Sequence, residues 1–214
     1  MYGVLGGGKM KKNIFYPVIG VSPITGFSSL EEHLYLKTCD AAVVQKYFNW
    51  FLEFNLIRVE TLKGEIKNWE ANYTLHSLIV LEEWLMLNIN SSPSLLKKMQ
   101  TLLSSISTGN FETDVTELSE VEISILYDVG IYFGNMLCHN NKDLHWGIFM
   151  NHTHIQYNLP MISKNINGYQ INYHHLTNML SWYNTKKEFT DYTLVSYYNE
   201  LTEIFKHGYV DEME

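Results

Sequence analysis

Six of the nine histidines in this 214-residue chain fall between positions 139 and 175: His139, His145, His152, His154, His174 and His175. Neutral imidazole is the commonest metal ligand. On an extended strand His152 and His154 would project from one face, two residues apart. A third ligand from His145, His174 or Asp143 would complete a zinc-type site. The spacing is not specific, because neither a helical His-Glu-x-x-His pair nor a paired-cysteine ligand set is present. Solvated polar histidines are the simpler account, and a metal-dependent hydrolase built on His152 and His154 is the alternative. Nucleophilic catalysis has less behind it. There is no Gly-x-Ser-x-Gly elbow, and Cys138 and His139, adjacent on a helix, point about 100° apart. Gly6-Gly7-Gly8-Lys9 lacks the spacing and the following Ser or Thr of a phosphate loop. The sequence therefore designates no catalytic residue and implies no cofactor.

A second group of polar residues lies on a helix. Asp128, Tyr132 and Asn135 follow at spacings of four and three and so share one face. They could form a small binding site, or a buried carboxylate could pin a neighbouring element through hydrogen bonds. Arg58 is the chain's only arginine. Its rigid bidentate fork suits a carboxylate, either Asp128, Glu60, Glu82 or Glu83 within the chain, or one on a ligand or partner. Gly130 and Gly134, one turn apart, weaken the helix relative to alanine. They open a flat strip where the first helix, or the strand bearing Trp146, is expected to approach closely.

These residues need elements to hold them. Apolar periodicity predicts a helix from about Thr38 to Leu62, with Thr38 as N-cap and Gly64 as stop. A second helix is predicted from about Thr74 to Asn88, with Glu82 and Glu83 facing solvent. Ser92 and Pro93 start a third, continuing to about Ile106. Ser119 and Glu122 form a capping box for a fourth, which runs to about Cys138 with Val121, Ile125, Val129, Tyr132 and Met136 as its buried stripe. From His145 to Ile171 the composition turns β-compatible, and a small antiparallel sheet is expected, with Asn165–Gly168 as a turn. Helices at about Asn172–Tyr183 and Asp191–Lys206 close the chain. The expected class is α+β, predominantly α, with about six helices. A single mostly helical domain spans 31–214, and an irregular segment spans 1–30. Residues 1–9, glycine-rich and unlike the rest, have the composition of an appended leader.

Composition bounds the partners. The net charge is −8 and the lysines are scattered, whereas nucleic-acid binding needs clustered cations, so no nucleic-acid role is expected. No run approaches the ~20 apolar residues that span a bilayer, and the apolar run after Met10 is short, broken by Pro17 and without a cleavage site. Two cysteines, Cys39 and Cys138, are too few for a disulfide framework. A soluble cytoplasmic protein is expected. Its 15 Tyr and 5 Trp are either core residues or an aromatic contact surface, and an acidic chain suits a basic partner.

Three motifs in order carry a resemblance. They are Tyr47-Phe48-Asn49-Trp50-Phe51 with Arg58 and Leu62, then Ser77-Leu78-Ile79-Val80-Leu81-Glu82-Glu83-Trp84, then Asp128-Val129-Gly130-Ile131-Tyr132-Phe133-Gly134, followed by Trp146 and Pro160. Over residues 38–162 the chain resembles a group of bacterial proteins without an assigned activity. Members often carry an acidic residue after the second glycine, where this chain has Asn135. Small acidic proteins of this kind are similar to immunity proteins of bacterial toxin systems. The negative charge, the abundant Tyr and Trp and the missing catalytic set, together with this analogy, lead to the expectation of a non-enzymatic protein that binds a basic toxin domain by occlusion; Arg58, Asp128, Tyr132, Asn135 and Trp146 are the candidate binding residues.

Overall fold

The computed structural model describes residues 16–17, 35–89, 120–154 and 156–208. The described residues form an α+β fold with five helices and one three-stranded sheet. The helix expected near 93–106 and the Ser119 cap lie outside the described residues.

Helix α1 spans Ala41–Glu65. Val44, Tyr47, Phe51, Arg58, Val59 and Leu62 are buried at three- and four-residue spacing, the mark of one inward face. The cap is Asp40, not Thr38: the Asp40 carboxylate accepts from the Val43 amide at 2.9 Å. The Thr38 hydroxyl donates backward to the Tyr35 carbonyl instead. Gly64 does not stop the helix, which ends one residue later with Ile66 extended beyond it.

Helix α2, Leu75–Ile89, buries Leu78, Leu81 and Leu85. Glu83 is exposed as expected, but Glu82 is buried. Its carboxylate accepts from the Leu194 amide at 2.6 Å and pairs with Lys186 at 2.9 Å. A carboxylate there satisfies one of the orphan amides that open the last helix.

Helix α3, Glu120–Asn140, is the centre of the fold. A single buried stripe was expected, but every residue from Ser124 to Gly134 is buried. The helix is enclosed because it packs against α1, α2, and the two C-terminal helices.

The sheet comprises β1 (Trp146–Ile148), β2 (Pro160–Ile166) and β3 (Tyr169–Tyr173), antiparallel in the order β1-β2-β3. Asn167 and Gly168 form the β2–β3 turn, both with positive φ (52° and 86°), as a tight hairpin requires. β1 ends at Ile148. Past it, the Phe149 amide donates to the Leu159 carbonyl and the Asn158 amide to the Phe149 carbonyl, with turns at 152–154 and 156–158.

Helix α4 spans His175–Glu188, starting later than predicted because Asn172 and Tyr173 stay paired in β3. The His174 side chain is its N-cap. Helix α5 spans Leu194–His207, capped by Thr193 and closed by Gly208 at φ 86°. None of these helices is long and apolar enough to cross a membrane.

Candidate functional site

Helix α3 presents its polar face to three other elements in turn. At its start, the Arg58 fork on α1 holds both oxygens of Asp128: Nε to Oδ1 and Nη2 to Oδ2, each at 2.7 Å. The Tyr16 hydroxyl donates to the same Oδ2, and Arg58 Nη2 also donates to the Pro17 carbonyl at 2.9 Å. Tyr16 and Pro17 are thereby fastened to the pair. Asp128 is completely buried and Arg58 nearly so. Burial pushes the Asp128 carboxyl up to about 6, against the pull of Arg58 and Tyr16, so desolvation is the larger effect. With both oxygens engaged and no solvent access, the carboxylate is a tie between α1 and α3.

One turn on, the Tyr132 ring stands between Trp69 and Tyr73. Ser77 Oγ donates to the Thr74 carbonyl at 2.6 Å. The Tyr132 hydroxyl therefore donates to Ser77 Oγ at 2.5 Å, and it accepts from the Tyr73 amide at 3.0 Å. This fastens the start of α2 to α3. Asn135 Oδ1 then accepts from the Trp146 indole N–H at 2.8 Å, which fastens β1. The five candidate binding residues thus form three separate contacts: Arg58 with Asp128, Tyr132 with Ser77, and Asn135 with Trp146.

The two glycines serve different neighbours. A methyl group at Gly134 would overlap the Trp146 ring, as expected, but one at Gly130 would overlap the His175 carbonyl. Helix α4, not α1, approaches there. The Tyr173 hydroxyl adds a bond to the Gly130 carbonyl at 2.7 Å.

The histidines do not converge. His152 and His154 lie in the turns between β1 and β2, not on a strand, so alternation does not align them. His154 Nδ1 accepts from the Gln156 amide. Among the described residues no group of three His, Cys, Asp or Glu side chains is placed to hold a metal ion. Burial raises the Cys138 thiol to about 11, which opposes thiolate formation at neutral pH.

Sequence reasoning missed His175, the most enclosed histidine. Its ring packs against Tyr127 at 4.2 Å, His174 at 4.5 Å, Phe51 at 5.5 Å and Trp146 at 6.0 Å. Its Nδ1 has no hydrogen-bond partner among the described residues. Burial, then the neighbouring His174, push its imidazolium pKa well down, so the ring is neutral. It was overlooked because it sat in an apparent cluster of polar histidines. Asn55 was also missed: it occupies an apolar position of α1, buried and without a partner for its amide among the described residues.

The surface carries a different signal. The large aromatics are mostly core, while Leu52, Leu56 (68% exposed) and Ile57 (61%) stand on the outer face of α1. Glu53 and Glu60 are exposed on the same side, with Lys63 beside Glu60 at 3.5 Å. At 100° per residue, Leu52, Leu56, Glu60, Glu53 and Ile57 fall within one arc of about 140°. No family model, no curated protein and no solved structure matches this chain.

Proposed function

We propose that the chain is a non-enzymatic protein-binding protein of the toxin-immunity kind, which occludes a basic partner. The observation that supports this reading is the outer face of α1. Two leucines one turn apart and a nearby isoleucine remain exposed on a helix whose opposite face is fully packed. Exposed apolar groups that cluster on one face mark interaction surfaces, whereas scattered ones need no explanation. Glu53 and Glu60, two turns apart, lie between the leucines and Ile57 and put carboxylates within this face. The net charge of −8 would steer a cationic partner toward it. The anchors are aliphatic rather than the aromatic contact surface that composition allows, because most of the described tyrosines and tryptophans are buried or half-buried.

The reading is tested by co-expressing the chain with the product of the gene immediately upstream and measuring complex formation, and toxicity, with and without Leu56→Asp and Ile57→Asp. A stable complex that suppresses toxicity, and weakens at least tenfold in the variants while the fold is retained, is the expected result. A neighbouring product that neither binds nor is neutralised would end the proposal.

A further inference from the structure

A cavity of about 260 Å³ opens where the α3–β1 turn, strand β2 and the end of α5 meet. Three of the chain's fifteen basic residues line it: Lys142, Lys164 and Lys206. Such a gathering stands out in a chain of net charge −8. The floor is apolar, formed by the buried Leu144 and Phe205. The cationic rim is only partly neutralised. Lys164 is 3.5 Å from Asp143 and Lys206 is 2.8 Å from Glu203, while Lys142 makes no ion pair with a described residue.

We propose that this cavity binds a small organic anion: an acidic head group, carboxylate or phosphate monoester, on a short apolar body. The volume suits about a dozen heavy atoms, near the lower limit of small-molecule sites. The head group would sit between Lys142 and Lys164, and the body against Leu144 and Phe205. The Asp143–Lys164 contact is long and Asp143 is 79% exposed. Such pairs contribute little and yield readily to a competing anion. Asp143 therefore acts as a built-in competitor for Lys164. The site is separate from the α1 ridge and does not depend on the protein-binding reading.

The test is titration of the intact chain with phenyl phosphate, benzoate, inorganic phosphate and phenol, followed by calorimetry or amide chemical shifts. Phenyl phosphate or benzoate should saturate, and each should bind more tightly than inorganic phosphate or phenol, since only they offer both charge and an apolar body. The stronger of the two identifies the head group. Lys142→Met and Lys164→Met should each weaken binding about fivefold or more. Asp143→Asn should tighten it about two- to fivefold by releasing Lys164, and Lys63→Met, remote on α1, should change nothing. The proposal is overturned by the absence of saturable binding up to ~10 mM. It is equally overturned by binding that ignores the Lys142, Lys164 and Asp143 substitutions, or by inorganic phosphate binding as tightly as phenyl phosphate.

Discussion

The Arg58–Asp128 pair should behave as a tie that is costly to break but not to replace. Both side chains are buried, and they are joined through two bonds of 2.7 Å. Desolvation already holds the carboxyl at about 6 in spite of the guanidinium. Mutual attraction therefore does not fully offset the removal of the carboxylate from water. Asp128→Asn leaves Arg58 buried without its counter-charge and removes an acceptor from the Tyr16 hydroxyl. Arg58→Met leaves a bare carboxylate. Each should destabilise by about 3–5 kcal/mol. At 2–4 °C per kcal/mol for a chain of this size, that lowers Tm by about 6–20 °C. The double variant Arg58→Met/Asp128→Asn removes both charges and roughly keeps the volume, so it should recover most of the loss. Urea unfolding of the wild type, both single variants and the double variant completes the cycle. Losses under about 1 kcal/mol in the single variants, or a double variant equal to their sum, would refute the reasoning.

The glycines separate by environment. Gly130→Ala should cost about 1–3 kcal/mol, because the added methyl meets the His175 backbone carbonyl. Gly64→Ala, in open space at the end of α1, should stabilise by about 0.5–1 kcal/mol; paired thermal melts measure both. Glu82→Ala, which strips the Leu194 amide and Lys186 of their partner, should destabilise by about 1–3 kcal/mol. It should also raise hydrogen exchange first at the start of α5. His175 gives a pH signature: its folded-state pKa is depressed, so its contribution is present above the unfolded value of ~6.5 and is lost as pH falls, at about 1.4 kcal/mol per unit. Asp128 acts in the opposite sense, since its raised carboxyl favours the folded state below ~3.8 and loses that contribution as pH rises through about 6. The His175 effect is therefore read as the difference in pH slope between the wild type and His175→Phe; equal slopes would contradict it.

Periodicity made α1, α2 and the hairpin legible, because each has one wet and one dry face and so repeats at 3.6 or 2 residues. The Arg58–Asp128 partnership was legible only as one of several pairings: a lone guanidinium calls for a carboxylate, and Asp128, Glu60, Glu82 and Glu83 all qualified until the fold brought Asp128 to it. What stayed hidden depends on contacts between distant parts of the chain. Glu82 reads as solvent-facing until α5 arrives with an unpaired amide. Thr38 and Asp40 are both acceptable caps, and only the backward bond to Tyr35 decides between them. His152 and His154 look like strand ligands as long as β1 is imagined running through them, but the chain turns after Ile148.

The spacing of the Asp128-x-Gly-x-Tyr-x-Gly motif follows from the position of α3. A helix enclosed on all sides cannot be fixed by a hydrophobic stripe alone, since apolar packing on every face leaves its rotation and depth weakly specified. Polar ties and glycine notches supply that specification. Asp128 fixes α1, Tyr132 fixes α2, Asn135 fixes β1, and the glycines admit His175 and Trp146 at van der Waals distance. These residues therefore carry the chain's clearest local signature as ties between elements. The binding surface proposed above, the outer face of α1, lies on an element that this spine anchors through Arg58. If the spine is loosened by Asp128→Asn, binding through Leu56 should weaken even though no surface atom has changed. A direct Leu56→Asp substitution should weaken binding while leaving Tm within a degree or two, since substitutions at exposed positions act within about 0.5 kcal/mol. Partner affinity that tracks Tm in the first case and not in the second would separate the scaffold from the surface it presents.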